Sequence, residues 1–109
     1  MDPAAARARL EAMLADLDRS IALLTGESGY EVHPADAGSD LSDAQRVAAS
    51  LEAMRRQRNA VLAALQRIAA GTYGRCVSCR RPVAEGRLEA RPDAARCVTC
   101  QAAYDRARR

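Results

Sequence analysis

The sequence predicts a mainly α-helical protein in which an antiparallel two-helix coiled-coil hairpin precedes a small four-cysteine module with a short C-terminal helix. Two segments carry apolar residues at alternating spacings of three and four, which is the repeat of a helical seam. All four cysteines fall in the last third of the 109 residues, as two CxxC pairs. The chain has no Phe and no Trp, so it lacks the large side chains that usually fill a broad globular core.

The first helix is predicted at about residues 3–25. Asp2 is a good N-cap, and Pro3 suits the first helical position because its missing N–H would have no partner there. Gly26 can adopt the left-handed conformation that ends a helix. The seam of this helix consists of Leu10, Leu14, Leu17, Ile21 and Leu24.

The second helix is predicted at about residues 42–70, after an acidic loop at 26–41 that is rich in Gly and Ser. Ser42 and Gln45 form a capping-box pattern at its start, and Gly71 can end it. Its seam consists of Val47, Leu51, Met54, Val61, Leu65 and Ile68, with Arg58 at one seam position.

The two seams can bury each other if the helices pair as an antiparallel hairpin. In that register we expect Leu10 near Val61 and, at the other end, Leu24 near Val47. A hairpin this narrow has little core of its own, so it needs an anchor, which we expect in the cysteine module. Pairing of the seams between two chains is the alternative.

Arg58 interrupts the apolar seam of the second helix. In the expected register it faces the region of Met13 and Leu14, and its long side chain can reach out of the seam toward Glu11 or Asp18. We therefore predict a surface contact, and no functional role, for this arginine.

Charge divides the chain into an acidic first part and a basic second part. Residues 1–43 hold three Arg and nine acids, a net charge of −6, whereas residues 44–109 hold fourteen Arg and five acids, a net charge of +9. Such asymmetry predicts a surface that meets two different environments. No stretch is apolar enough to span a membrane, and the start lacks the basic and apolar regions of a signal peptide. We expect a cytoplasmic protein that does not bind membranes.

Cys76, Cys79, Cys97 and Cys100 have the spacing of a tetrahedral zinc site, because two CxxC turns separated by 17 residues can face each other. Thiols stay reduced in the cytosol, which disfavours two disulfides. A thioredoxin-like redox site needs a βαβ context that is missing here, and an iron–sulfur cluster is a weaker alternative. Because the protein supplies all four ligands, we predict one structural Zn²⁺ and no catalytic metal.

These features divide the chain into two predicted domains. The helical hairpin occupies residues 1–70, with its acidic tip loop at 26–41, and the zinc-finger module with the C-terminal helix occupies residues 71–109. A four-cysteine zinc module can bind nucleic acid, bind protein or simply staple a small fold, and the cysteine spacing alone does not choose among these uses.

Three stretches around the cysteines carry further motifs: residues 71–76, residues 86–92 with an Arg-Leu-x-Ala-x-Pro pattern, and residues 97–101. Together they resemble the DksA/TraR zinc-finger family, and residues 33–36 (His-Pro-Ala-Asp) resemble the hairpin-tip sequence of one family branch. The resemblance implies a regulator that binds bacterial RNA polymerase. Its hairpin would enter the secondary channel, place an acidic tip residue near the active site and modulate initiation, often together with the alarmone ppGpp.

The resemblance also assigns candidate residues at the hairpin tip. Asp36 is expected to be the tip acid, with Asp40, Gly38 and His33 beside it. Acidic side chains at the tip would be attracted to a cationic or metal-bearing site. His33 stands where some members carry an earlier tip acid, and Gly38 stands where Ala is common, which would loosen the tip.

The alarmone site implied by the resemblance is altered in this chain. Gln101 follows the last cysteine where well-known members have a basic residue, and Ala53 and Ala60 stand at two other basic positions of the second helix. We therefore expect weak or absent ppGpp binding at that site. Arg80 stands after the second cysteine, where many members have Gly, and a positive φ there would be awkward for Arg.

The leading hypothesis is a monomeric DksA-like regulator of RNA polymerase, for which direct DNA binding is not expected. The first alternative is a nucleic-acid-binding zinc ribbon, in which phosphates would contact Arg75, Arg80, Arg81, Arg87, Arg91 and Arg96. The second is a helical structural adaptor whose seams pair between chains. No catalytic triad, phosphate loop or open metal site is visible in the sequence, so we predict no enzymatic activity.

Overall fold

The computed structural model describes residues 1–26 and 41–108, and these residues contain four helices. The helices are α1 (Pro3–Thr25), α2 (Leu41–Ala70), α3 (Glu85–Ala90) and α4 (Val98–Ala107). The described ranges contain no strand, and an antiparallel bridge between Arg75 and Pro82 closes a turn. The mainly α-helical fold class is therefore confirmed. Among the described residues, no helix is long and apolar enough to cross a membrane.

Local sequence signals set both ends of α1. Asp2 is its N-cap, and the Asp2 carboxylate accepts a hydrogen bond from the Ala5 N–H at 3.1 Å. Pro3 occupies the first position of the helix. Gly26 ends the helix with a φ of 77°, and its N–H donates to the Ala22 carbonyl. Both ends agree with the prediction because capping depends on residues that are adjacent in sequence.

α1 and α2 pack along their apolar seams as an antiparallel pair. Leu10, Val61 and Ala64 are fully buried in one cluster, which we call the hairpin cluster. Farther along α1, Asp18 accepts a hydrogen bond from the Nε of Arg58 at 2.6 Å. A step forward along α1 is thus matched by a step back along α2, so the helices run in opposite directions. The expected neighbourhood of Leu10 and Val61 and the reach of Arg58 to Asp18 are both confirmed.

Burial along the seam is uneven. Leu24 and Val47, which were expected to lie near each other, are 39% and 41% exposed, and Leu23 is 51% exposed. The radius of gyration is 17.1 Å, against about 13 Å for a compact domain of this length. The molecule is therefore elongated, and the well-buried part of the hairpin is the end nearer the cysteines.

A second cluster forms the core of the cysteine module, and we call it the module cluster. Its buried members are Cys76, Val83 and Leu88. Tyr73 packs against both the hairpin cluster and the module cluster. Its hydroxyl donates to the Pro92 carbonyl at 2.9 Å, and burial raises the pKa of this hydroxyl. Tyr73 therefore couples the hairpin to the module.

Two arginines of the hairpin also reach the module. Arg9 of α1 donates to the Glu89 carbonyl at 2.6 Å. Arg67 of α2 donates to the Ala94 carbonyl at 3.5 Å, and burial lowers the pKa of its guanidinium. Both contacts are made at the end of the hairpin that meets the module, and we call this end the base of the hairpin. The contacts at the base fix the direction of the hairpin relative to the module.

Candidate metal centre

The first CxxC pair lies in a tight turn between α2 and α3. The Arg80 N–H donates to the Cys76 carbonyl at 2.9 Å, and the Cys76 N–H donates to the Arg81 carbonyl at 2.8 Å. Arg80 has a φ of 64°, so the turn uses the left-handed region directly after Cys79. A positive φ was expected to be awkward for Arg at this position, and Arg80 does adopt one.

The second CxxC pair begins α4. Cys97 is the N-cap of this helix, and its Sγ accepts a hydrogen bond from the Cys100 N–H at 3.5 Å. The Gln101 N–H donates to the Cys97 carbonyl at 2.9 Å. Because the N-terminus of a helix carries partial positive charge, it favours a thiolate at this position. The Val77 N–H donates to the Ala95 carbonyl at 2.9 Å, which ties the two CxxC pairs together.

The four cysteine sulfurs lie within 4.8 Å of one another. The Sγ atoms of Cys79 and Cys97 are 4.0 Å apart, and all four cysteines are free thiols. Four sulfurs bound to one zinc ion at about 2.3 Å stand roughly 3.8 Å apart in tetrahedral geometry. The arrangement therefore fits one structural zinc ion, as the sequence predicted. Two disulfides would require sulfurs at bonding distance, about 2 Å.

Hydrogen bonds prepare part of the centre for a metal. The backbone N–H of Cys79 is the main cause that lowers the pKa of the Cys76 thiol to about 6, with additional help from the backbone of Cys97 and Ser78. The pKa of Cys100 is raised to about 12, chiefly through the hydrogen bond between its thiol and Cys97. Four crowded thiols resist full ionisation, whereas a bound Zn²⁺ supplies the positive charge that lets all four be thiolates.

The donor set makes the centre structural. Four protein thiolates complete a tetrahedral zinc shell, so no coordination position remains for water or a substrate. Cys76 is 1% exposed and packs with Val83 and Leu88, whereas Cys79 is exposed. The centre is therefore buried against the module cluster on the Cys76 side and open to solvent on the Cys79 side. Its role is to hold the module together.

The fold and the centre agree with one known group of proteins. Residues 71–106 match the family model of the prokaryotic DksA/TraR C4-type zinc finger. The cysteine module is therefore similar to this zinc finger over nearly its whole length. Among solved structures, the chain is similar to transcription factor DksA2 from Pseudomonas aeruginosa, with a TM-score of 0.76 and 25% sequence identity over 97% of this chain and 84% of that chain. A comparison with curated protein sequences gives no match.

These findings confirm the resemblance to the DksA/TraR family that the cysteine motifs indicated, and they support a DksA-like regulator. The residues predicted at the hairpin tip, Asp36, Asp40, Gly38 and His33, lie outside the described residues. Their roles stay predictions.

The residues expected at the altered alarmone site do lie together. Ala53, Ala60 and Gln101 line one trough beside α2, and Arg56, Arg91 and Arg108 line the same trough. Ala53, Ala60 and Gln101 supply no positive charge, so the positive charge of the trough comes from these other positions. The weak or absent binding of ppGpp that these residues imply stays a prediction.

The arginines of the module are divided among different surfaces. Arg75 and Arg80 line a groove beside the first CxxC turn, and Arg67 of α2 joins them there. A separate trough is lined by Arg87, Arg91 and Arg96. In the sequence the module arginines formed one possible phosphate-binding set, and Arg67 was not part of it. That set was confined to the cysteine module, whereas Arg67 lies in the last turn of α2, and the turn after α2 brings it into the same groove as Arg75.

Proposed function

We propose that this protein is a DksA-like transcription regulator that binds RNA polymerase through the secondary channel, places its hairpin tip near the active site and modulates initiation. The observation that carries the proposal is the likeness to DksA2 over 97% of the chain, which includes the hairpin as well as the zinc finger. The protein then acts by docking and by the position of its tip, and it performs no chemical step of its own.

The dimensions of the hairpin suit a narrow channel. α1 has 23 residues and α2 has 30, so the two helices are about 35 and 45 Å long at 1.5 Å per residue. A pair of packed helices is only about 20 Å across its wider side. Because burial is concentrated near the module, the hairpin can project outward from a base that is held firmly.

The charge of the segment between the two helices supports an acidic tip. Residues 20–45 contain five acids and no Arg, so they would be attracted to a cationic or metal-bearing region of the polymerase. Asp36 is the proposed tip acid, with Asp40, Gly38 and His33 as its neighbours.

The remaining parts of the proposal concern location, activity, oligomeric state and nucleotide binding. The protein is proposed to be a cytoplasmic, non-enzymatic monomer with weak or absent ppGpp binding. Direct binding of DNA or RNA is not proposed, because the module arginines are divided among different surfaces and the Tyr104 ring lies under Arg96, with the guanidinium 3.8 Å from the ring centroid.

Co-purification with RNA polymerase core tests the docking. The zinc-loaded full chain is expected to be retained by immobilised core enzyme, and a variant without residues 27–40 is expected to bind more weakly because it lacks the acidic segment. If both proteins are retained equally, the hairpin does not bind through the secondary channel. If the intact chain is not retained, RNA polymerase is not its partner.

Asp36→Asn tests the tip. This variant should still bind the core enzyme but should lose most of the effect on a purified initiation assay, because one charge is removed without changing the helices. Glu11→Gln is the matched control, since it removes one charge from an exposed position of α1 near the module. If Asp36→Asn and Glu11→Gln regulate initiation equally well, the tip mechanism is wrong.

A further inference from the structure

A groove lies between the C-terminal end of α2 and the first CxxC turn. Its volume is about 530 Å³, and it is lined by Arg67, Thr72, Arg75, Cys76, Val77 and Arg80. Three of the six lining residues are arginines, and none of the six is acidic. We call this surface the arginine groove.

None of the three arginines in the arginine groove forms an ion pair with a carboxylate of the described residues, although the negative charge of Asp93 partly offsets the positive charge of Arg67. Arg75 donates to the Arg80 carbonyl at 3.3 Å, and Arg67 donates to the Ala94 carbonyl at 3.5 Å. Both acceptors are neutral backbone oxygens. The arginines that form ion pairs within residues 1–26 and 41–108 are others, namely Arg19, Arg46, Arg56 and Arg58. The groove therefore presents positive charge to whatever enters it.

The left-handed backbone conformation of Arg80 is energetically unfavourable for a residue with a side chain. Among the described residues Arg80 is the one non-glycine residue with a positive φ, whereas Gly71 and Gly74 adopt φ values of 77° and 88° freely. The Arg80 conformation is fixed by the bond from its N–H to the Cys76 carbonyl, so it cannot relax without opening the turn. Strain that persists where Gly would remove it points to a function of the side chain.

We propose that the arginine groove docks an acidic segment of a protein partner. Carboxylates of that segment pair with the Arg75 and Arg80 guanidiniums, whose planar forks bind carboxylates through two parallel hydrogen bonds. Val77 is 47% exposed and gives the groove an apolar wall. A peptide can place an apolar side chain against this wall, whereas a single inorganic anion leaves it unused. The groove lies at the base of the hairpin, so the proposal does not rest on the tip mechanism.

The aromatic side chains favour a protein over a nucleic acid in this groove. No Tyr lines it. Tyr73 packs into both clusters and its hydroxyl donates a hydrogen bond to the Pro92 carbonyl, and Tyr104 lies outside the groove with Arg96 over its ring. Proteins that bind single strands without sequence preference stack the bases on exposed aromatic rings, and this groove offers none.

Fluorescence anisotropy of a labelled peptide tests the proposal on the zinc-loaded full chain. The probe is a capped twelve-residue peptide in which pairs of Glu alternate with single Leu, and its counterpart carries Gln in place of every Glu. The Glu peptide should bind, and Arg75→Ala and Arg80→Gly should each weaken it about threefold, and about tenfold together, as expected for partly exposed ion pairs. Arg81→Ala, which removes a charge next to Arg80 but outside the groove, should leave the affinity unchanged.

Arg80→Gly also separates function from folding. Because Gly tolerates the left-handed conformation, the variant should raise the thermal midpoint of the zinc-loaded protein while it weakens the peptide, so stability and affinity move in opposite directions. Three results would overturn the proposal: equal loss of affinity in Arg81→Ala, equal binding of the Gln peptide, or displacement of the Glu peptide by a short single-stranded DNA at a lower concentration than the unlabelled peptide itself.

Discussion

Removal of zinc is expected to unfold the module and to weaken the hairpin that it anchors. In the module cluster the buried apolar residues other than the ligand Cys76 are Val83 and Leu88. Two buried side chains of this size contribute about 3–6 kcal/mol, whereas a structural zinc ion contributes about 10–16 kcal/mol at neutral pH in zinc-finger peptides. The metal therefore outweighs the apolar core, and the module should not keep its fold without it.

The helix lengths set the size of the expected signal. α1, α2, α3 and α4 contain 23, 30, 6 and 10 residues, so the two module helices hold 16 of the 69 helical residues within 1–26 and 41–108. Melting of the module alone should reduce the helical circular-dichroism signal by a little under a quarter. A larger loss is expected, because Tyr73 takes part in the hairpin cluster and loses its support from Pro92 when the module melts.

The assay is a titration with a strong chelator, followed at 222 nm and by tyrosine fluorescence, with the released zinc quantified. One zinc ion per chain should leave, and re-addition of zinc should restore both signals. A matched sample with zinc in excess over the chelator should not change. If the chelated protein holds no zinc and yet retains its full helical signal and its thermal midpoint, the metal does not anchor this fold.

Two further substitutions test the packing around this anchor, each read from the free energy of unfolding of the zinc-loaded protein in urea. Leu10→Ala should cost about 2–4 kcal/mol because Leu10 is 0% exposed in the hairpin cluster, whereas Leu23→Ala, on the same helix but 51% exposed, should cost under about 0.5 kcal/mol. Tyr73→Phe should cost about 1–2 kcal/mol because the Pro92 carbonyl loses its donor in a buried place. Tyr104→Phe, at an exposed ring, should be nearly neutral. Equal costs for the two Leu substitutions, or for the two Tyr substitutions, would contradict the assignment of the two clusters.

The helical hairpin could be predicted because its determinants are local. The Asp2 cap, the Pro3 start and the left-handed Gly26 each act within one helical turn, and the apolar repeat reports which face of each helix is buried. The pairing of Leu10 with the region of Val61 followed from the antiparallel register alone. Each half of the zinc site could also be predicted from local sequence, because a CxxC turn places its two sulfurs near each other independently of the rest of the fold.

Other features depend on contacts that no local pattern reveals. α3 was not predicted, because a helix of six residues is too short to show an apolar period. The double role of Tyr73 depends on where the chain turns after Gly71. The arginines looked like one basic set in the sequence, and only the fold separates the groove with Arg67 from the trough with Arg96.

The contacts at the base of the hairpin bear on function because they fix the direction in which the hairpin points. The contacts that join the hairpin to the module include the packing of Tyr73 in both clusters and of Met1 against the module cluster. They also include the bond from Arg9 to the Glu89 carbonyl and the bond from Arg67 to the Ala94 carbonyl. α2 is about 45 Å long, so a tilt of about 10° at its base moves its far end by roughly 8 Å. A regulator that works by placing a tip inside a channel would lose activity through such a tilt even with its zinc and its helices intact. Loosening the base should therefore lower regulatory activity more than it lowers the helical signal.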